Sequence, residues 1–87
     1  MQIEYSRRFI KNFKKCPKYI QEKFSERLGL FLIDRSAKIL NEHFLSGKLL
    51  GLKSINISGD YRAIFEFIDK EDIIYFISIG THSQLYK

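Results

Sequence analysis

The sequence has few of the residues that small folds use as special structural devices. Its 87 residues include one cysteine, one proline and no tryptophan. Cys16 cannot form an intramolecular disulfide, which indicates a reducing environment. No apolar run approaches the ~20 residues that cross a bilayer, and the first residues lack the apolar segment and cleavage site of a signal peptide. We therefore expect a cytoplasmic protein without membrane contact.

Aromatic side chains are abundant instead. Hydrophobic residues make up 45% of the chain, and the aromatics are 8 Phe and 5 Tyr. This composition is too apolar for a disordered chain, so phenyl rings must fill much of the core. The length allows one core and excludes a cleft between two lobes. We expect one domain over residues 1–87.

The net charge of +5 is distributed unevenly, because residues 1–53 carry +7 and residues 54–87 carry −2. The densest basic run lies in residues 7–23, where Glu22 is the one acidic residue. Its basic members are Arg7, Arg8, Lys11, Lys14, Lys15, Lys18 and Lys23. Such a run either binds the phosphates of a nucleic acid or is a solvated helix face, and charge alone leaves both readings open.

Hydrophobic periodicity predicts the first half of the fold. Residues 2–5 alternate like a short strand, and Ser6 is a suitable helix N-cap. Phe9, Ile10 and Phe13 form an apolar stripe on the first helix, which Pro17 ends. Helical spacing of apolar residues then predicts a second helix over residues 18–34. Residues 35–48 read as a turn and loop.

After Gly51 the period changes to two, which predicts strands at residues 54–58, 61–68 and 73–79. The last two strands are apolar on both faces, so they should lie centrally in the sheet with helices covering one face. The element order is β-α-α-β-β-β. It predicts an α+β fold in which an antiparallel sheet carries two N-terminal helices on one face.

Two histidines are candidates for proton transfer. His43 lies in the loop, and His82 follows the last strand; each is either a catalytic residue or an ordinary surface residue. Asp60 and Arg62 are two apart and should share a strand face. They form either an ion pair beside a turn or a phosphate site in which Asp60 orients Arg62 or a histidine. No metal-ligand spacing or phosphate-binding loop is present, so we expect neither metal nor cofactor.

Three segments together resemble a known superfamily: LSGKLLG at residues 45–51, SGDYRAIF at 58–65 and IGTHSQLY at 79–86. They are similar to the RelE/ParE toxins, and most similar to the YafQ-like branch of bacterial type II toxin–antitoxin modules. The resemblance covers essentially the whole chain. The Gly-Thr-His-Ser-x-Leu-Tyr ending is its most specific part.

The resemblance implies a metal-independent endoribonuclease that cleaves mRNA on translating ribosomes through the substrate's own 2′-hydroxyl. It implies that His82 is the general acid, His43 the general base and Tyr86 the aromatic residue that stacks on or orients the target nucleotide. Arg62 would contact the scissile phosphate, and Asp60 corresponds to an acidic residue at the hairpin. The expected RNA-binding residues are Arg7, Arg8, Lys11, Lys14, Lys15, Lys18, Lys48 and Lys53. A cognate antitoxin, acidic where it binds the toxin, would form a hetero-oligomer with the chain.

The sequence departs from the YafQ-like pattern on the strand before the Gly-Asp-Tyr-Arg hairpin. Ser54 and Asn56 stand where those toxins carry an acidic residue and a histidine, and Lys53 is the one lysine near that strand. Two other functions therefore stay open. One is a ParE-like inhibitor of DNA gyrase, against which the His-centred ending argues. The other is a degenerate toxin that acts mainly as a binding partner of its antitoxin.

Overall fold

The computed structural model describes residues 1–86 as three helices, five strands and short 3-10 turns. The strands are β1 (Gln2–Tyr5), β2 (His43–Phe44), β3 (Lys53–Ser58), β4 (Tyr61–Ile68) and β5 (Ile73–Thr81). The helices are α1 (Arg7–Lys15), α2 (Lys18–Ile33) and α3 (His82–Leu85). The helices formed by residues 1–86 are all too short or too polar to span a membrane.

The two N-terminal helices begin and end where local signals place them. The Ser6 hydroxyl accepts a hydrogen bond from the Phe9 amide at 2.9 Å, which caps α1 as predicted. Pro17 separates α1 from α2 because its ring cannot continue the first helix but suits the start of the second. The predicted end of α2 at residue 34 is confirmed to within one residue.

The sheet has the order β1-β5-β4-β3-β2, so β4 and β5 are central, as predicted. The prediction of an antiparallel sheet was wrong at one edge, because β1 runs parallel to β5. The Ser6 hydroxyl supports this pairing by donating to the Ile77 carbonyl at 2.7 Å. A period of two encodes which residues face the core, and it does not encode the direction of a strand whose partner is distant in sequence.

The segment predicted as a loop contains β2, which pairs antiparallel with β3 at the sheet edge. The prediction missed this strand because two residues are too few to show a period. The pairing places His43 opposite Ser54 and Phe44 opposite Lys53. His43 therefore lies at a defined position on the sheet edge.

Phenylalanine rings fill the core between the helices and one face of the sheet, as predicted. Phe31 and Phe76 are fully buried, and Phe24 packs edge-on against Phe76 with ring centroids 5.3 Å apart. Ile55 and Ile57 of β3 belong to the same core. Because side chains alternate along a strand, the residues between and before them belong to the opposite face, which carries the candidate chemistry.

Candidate active site

His43 is held in a defined orientation by a backbone carbonyl. Asn41 adopts a left-handed conformation with φ 44°, and its carbonyl oxygen lies 2.7 Å from His43 Nδ1. A carbonyl only accepts hydrogen bonds, so Nδ1 carries the proton when the ring is neutral. The lone pair is then on Nε2, which lies 3.5 Å from the hydroxyl of the buried Ser54. His43 is thus oriented to accept a proton at Nε2.

His82 begins a single helical turn that directly continues β5. The Thr81 hydroxyl accepts from the Gln84 amide at 3.3 Å, and the Gln84 side-chain oxygen accepts from the Thr81 amide at 2.9 Å. This reciprocal pair is a capping box, for which Thr-x-x-Gln is a recognised signature. That signature could have predicted α3, which our sequence reading missed. The His82 amide also donates to the Asp60 carbonyl at 3.1 Å.

The fold brings the two histidines to one groove. His82 and Tyr86 are four residues apart, so they lie on the same side of α3, with ring centroids 4.5 Å apart. Together with His43 and residues 44–46 they line an open groove of about 270 Å³. Both histidine residues are exposed, and Nδ1 of His43 is occupied by the Asn41 carbonyl.

Arg62 lies on β4 but turns back toward the hairpin. Its Nη1 donates to the Gly59 carbonyl at 2.9 Å and to the Tyr61 carbonyl at 3.3 Å. Within residues 1–86, Nε and Nη2 of Arg62 make no hydrogen bond. The guanidinium therefore keeps donors for a phosphate while being held beside the turn.

The Asp60 carboxylate pairs neither with Arg62 nor with a histidine among residues 1–86, unlike the side-chain pairing that was expected. Asp60 lies in the turn before β4 and not on the strand, so it does not share a strand face with Arg62. In the described part of the chain its carboxylate forms no hydrogen bond or ion pair. Its backbone carbonyl is what contacts the site, through the His82 amide.

The two positions that depart from the YafQ-like pattern carry small polar groups. Asn56 is paired across the strands with Arg62, while Ser54 is paired with His43. The Asn56 Oδ1 atom is buried and finds no hydrogen-bond partner among residues 1–86. Neither side chain can exchange a proton near neutral pH, so neither replaces the titratable groups that YafQ-like toxins carry at these positions.

Sequence reading missed Glu42, which fastens the segment carrying His43. Its carboxylate pairs with Arg35 at 2.7 Å and with Lys53 at 2.8 Å, and only 11% of its side chain is exposed. Burial raises the pKa of Glu42, but the hydrogen bonds and charges of the two cations outweigh burial and leave that pKa below its usual range. The Lys53 ammonium also lies 4.5 Å from the centroid of the Phe44 ring. Lys53, expected to bind RNA, is thus engaged by Glu42.

The other predicted RNA-binding residues are exposed. Six of them lie on α1 or at the start of α2 and form no ion pair within residues 1–86. We call these six residues the basic face: Arg7, Arg8, Lys11, Lys14, Lys15 and Lys18. Lys48 is exposed on the 3-10 turn Gly47–Leu49. Across residues 1–86, no three His, Cys, Asp or Glu side chains cluster to hold a metal ion.

One family model matches residues 3–86, nearly the whole chain, and describes the ParE toxin of the type II toxin–antitoxin system parDE. The chain belongs to this toxin family. The predicted membership of the RelE/ParE superfamily is therefore confirmed. No curated protein sequence matches the chain significantly.

Solved toxins share the fold of this family member along almost its full length. YafQ from E. coli is 24% identical, with a TM-score of 0.79 and coverage of 99% of this chain and 98% of YafQ. The E. coli DinJ–YafQ complex matches at 25% identity and a TM-score of 0.76, covering 99% and 98%. The RelBE2 toxin–antitoxin complex of Mycobacterium tuberculosis matches at 15% identity and a TM-score of 0.70, covering 93% and 96%.

Proposed function

We propose that this toxin is an endoribonuclease that cleaves mRNA on translating ribosomes. The observation that carries the proposal is the groove that His43 and His82 share. One imidazole in that groove is oriented to accept a proton, and the other lies within the same space on a helical turn. Transfer of the phosphoryl group to the ribose 2′-hydroxyl requires a base on one side of the phosphodiester and an acid on the other.

In the proposed reaction, His43 Nε2 removes the proton from the ribose 2′-hydroxyl. The 2′-oxygen attacks the neighbouring phosphorus, the bond from phosphorus to the 5′-oxygen breaks, and His82 protonates that leaving oxygen. The products are a 2′,3′-cyclic phosphate and a 5′-hydroxyl end. Because the substrate supplies the nucleophile, the protein contributes positioning and charge stabilisation, which a small fold can provide.

Arg62 and Tyr86 complete the proposed site. The guanidinium exchanges the Gly59 and Tyr61 carbonyls for oxygens of the scissile phosphate, where a charged partner makes stronger hydrogen bonds. Tyr86 stacks on or orients the target nucleotide beside His82. Asp60 fixes His82 through its carbonyl, and an additional role for its exposed carboxylate stays a prediction.

The proposed partners are the ribosome, the message and an antitoxin. The basic face, with Lys48, contacts RNA phosphates, mainly those of ribosomal RNA. The DinJ–YafQ and RelBE2 structures are toxin–antitoxin complexes, which supports an antitoxin partner for this chain. We expect its toxin-binding segment to be acidic, because it must compete for the same cationic surface. The hetero-oligomer would form in the cytoplasm.

A second candidate is inhibition of DNA gyrase, as in ParE-like toxins. The description of the matching family model, which names ParE, favours it. Such an inhibitor would act through a binding surface and would not require two histidines in one groove.

Primer extension on a message translated in a cell-free system tests the proposal. The wild-type protein should produce cuts within the open reading frame. His82→Ala should lower cleavage by about 10²-fold or more, which is the usual contribution of a general acid. Ser83→Ala is the matched control, because Ser83 is the exposed next residue of α3 and does not line the groove.

The result that contradicts the proposal is equal cleavage by His82→Ala and wild type, with both proteins folded by circular dichroism. Intact messages with accumulated gyrase–DNA complexes would favour the second candidate. Intact messages and normal gyrase activity, with tight binding of the antitoxin, would instead indicate a degenerate toxin.

A further inference from the structure

Helix α3 has a second concave surface on the side away from the groove. Residue 84 points opposite to residues 82 and 86, because each residue turns a helix by about 100°, while residue 85 lies between the two sides. Residues 84 and 85 line a pocket of about 230 Å³ between α1 and α3. We call this cavity the α1–α3 pocket, and the lining residues used below are Arg8, Asn12, Lys15, Tyr61 and Gln84.

The lining of the α1–α3 pocket includes several hydrogen-bond donors and no carboxylate, beside the apolar Ile79 and Leu85. Arg8 and Lys15 form no ion pair within residues 1–86, so both charges are available. Gln84 uses its side-chain oxygen to accept from the Thr81 amide, which leaves its NH₂ group to donate. Partial burial raises the pKa of Tyr61, and nearby Cys16, Tyr19 and Asp60 raise it further, so its hydroxyl keeps its proton. These groups match an anion with several acceptor oxygens.

We propose that the α1–α3 pocket binds a backbone phosphate of RNA, distinct from the phosphate that is cleaved. Taking RNA as the ligand rests on the proposed function. A guanidinium fork and an ammonium group fit the non-bridging oxygens of a phosphodiester. The pocket and the groove are separated by one helical turn, about 10–12 Å wide with its side chains. One strand can therefore cross α3 and place two phosphates that are not immediate neighbours on its two sides.

Occupancy of the pocket would also stabilise the turn that carries His82. None of the four residues of α3 is buried, so its position depends on the capping box and on the contact of His82 with Asp60. A phosphate that bonds to Gln84 and Arg8 would join α3 to α1. Binding of RNA in the pocket would thereby restrict His82 at the groove.

A titration of the ¹⁵N-labelled protein with inorganic phosphate tests the site, with sodium chloride at matched ionic strength as the reference. The side-chain amide of Gln84 should shift saturably with phosphate and not with chloride. Arg8→Gln combined with Lys15→Gln should weaken binding at least about tenfold, because two charge-assisted contacts are lost.

The matched control is Arg7→Gln combined with Lys11→Gln, which removes the same charge from the same helix outside the pocket. This control should weaken binding by no more than about threefold, through long-range electrostatics alone. Equal weakening by the two double variants would show a diffuse charge effect and overturn the proposal. So would a phosphate response that does not involve Gln84.

A second titration separates RNA from an acidic protein as the source of the anion. The probes are a trinucleotide with 2′-O-methyl riboses, which cannot be cleaved, and a triglutamate peptide. The trinucleotide should shift Gln84 and His82 together at lower concentration than the peptide, and the reverse order would contradict the proposal. Both titrations measure binding without ribosomes. A protein that binds RNA in the pocket but does not cleave messages would therefore overturn the proposed function and support the pocket proposal. A protein that cleaves messages but binds no RNA in the pocket would support the proposed function and overturn the pocket proposal.

Discussion

At the scale of single residues, groups outside the recognisable motif determine the orientation of the two histidines. The carbonyl of Asn41 sets the proton position of His43, and the carbonyl of Asp60 anchors His82. Glu42 pairs with two cations beside the groove. None of these roles needs a catalytic side chain, so the sequence offers no chemical pattern by which to find them.

Replacing Glu42 by Gln should lower the free energy of unfolding by about 1–3 kcal/mol at neutral pH. The variant leaves Arg35 and Lys53 close together without the charge that both contact, in a place where little of the side chain reaches water. Urea denaturation measures the loss. Glu26→Gln is the control, because Glu26 is 63% exposed and its contacts are 3.6 Å long, so the loss there should stay below about 0.5 kcal/mol.

The contribution of Glu42 should also depend on pH. Its pKa in the folded protein lies below the ordinary value of 4.5, so the ionised form stabilises the fold above that pH. This contribution is lost as the pH falls through the folded pKa, and the difference between wild type and Glu42→Gln should then shrink. If wild type and Glu42→Gln differ in unfolding free energy by the same amount at neutral pH and well below pH 4.5, the destabilisation comes from side-chain shape and not from charge.

At the scale of elements, α3 connects the sheet to the groove through close packing at Gly80. A Cβ added to Gly80 would lie 2.8 Å from the Gln84 side-chain oxygen and 3.4 Å from Gln84 Cβ. That oxygen accepts from the Thr81 amide, so it cannot move away without breaking the capping box. The Gly-Thr-His-Ser segment therefore forms the cap of α3 in addition to carrying the candidate catalytic residue His82.

Gly80→Ala should destabilise the protein by about 0.5–2 kcal/mol, the usual cost of losing an N-cap, and should increase hydrogen exchange at the Thr81 and Gln84 amides. Gly29→Ala is the matched control in α2. Gly29 has no atom within 4 Å of an added Cβ, so alanine there should stabilise the helix by about 0.5–1 kcal/mol. Thermal unfolding of the two variants should therefore shift in opposite directions, and shifts of the same sign would contradict the packing argument.

At the scale of the whole molecule, an acidic turn lies far from the groove. The acidic turn Asp69–Glu71 joins β4 to β5 at the end opposite the groove, since Tyr61 pairs with Thr81 at one end and Ile68 pairs with Ile73 at the other. The eight residues of β4 separate these ends by roughly 23 Å at the usual rise per residue. The basic face and the distant acidic turn would orient the protein toward a polyanion during encounter.

Binding to uncleavable single-stranded RNA should weaken linearly in a plot of log K against log salt concentration. Lys11→Gln combined with Lys14→Gln should make the slope less steep by about 1.4, because each lost phosphate contact releases about 0.7 fewer counterions. Lys70→Gln, on the acidic turn, should leave the slope unchanged. Fluorescence anisotropy over a potassium chloride series measures both. Equal changes in slope would mean that the basic face is not the contact surface.

The sequence by itself determined what depends on near neighbours along the chain. Ser6 and Pro17 set the helix boundaries because capping and the missing amide act within one turn. Alternation identified three strands and their core faces because side-chain direction repeats every two residues. The two histidines and the superfamily were recognisable because motif residues are adjacent in sequence.

Only the tertiary structure decided what depends on pairing between distant segments. The parallel direction of β1, the position of His43 opposite Ser54 and the sharing of one groove by His43 and His82 depend on strand pairing. A single strand's pattern does not encode that pairing. The position of Asp60 in the turn and the return of Arg62 to the hairpin carbonyls likewise depend on the geometry of one tight turn. Side-chain chemistry identified the candidate residues, and strand register determined which of them line the same groove.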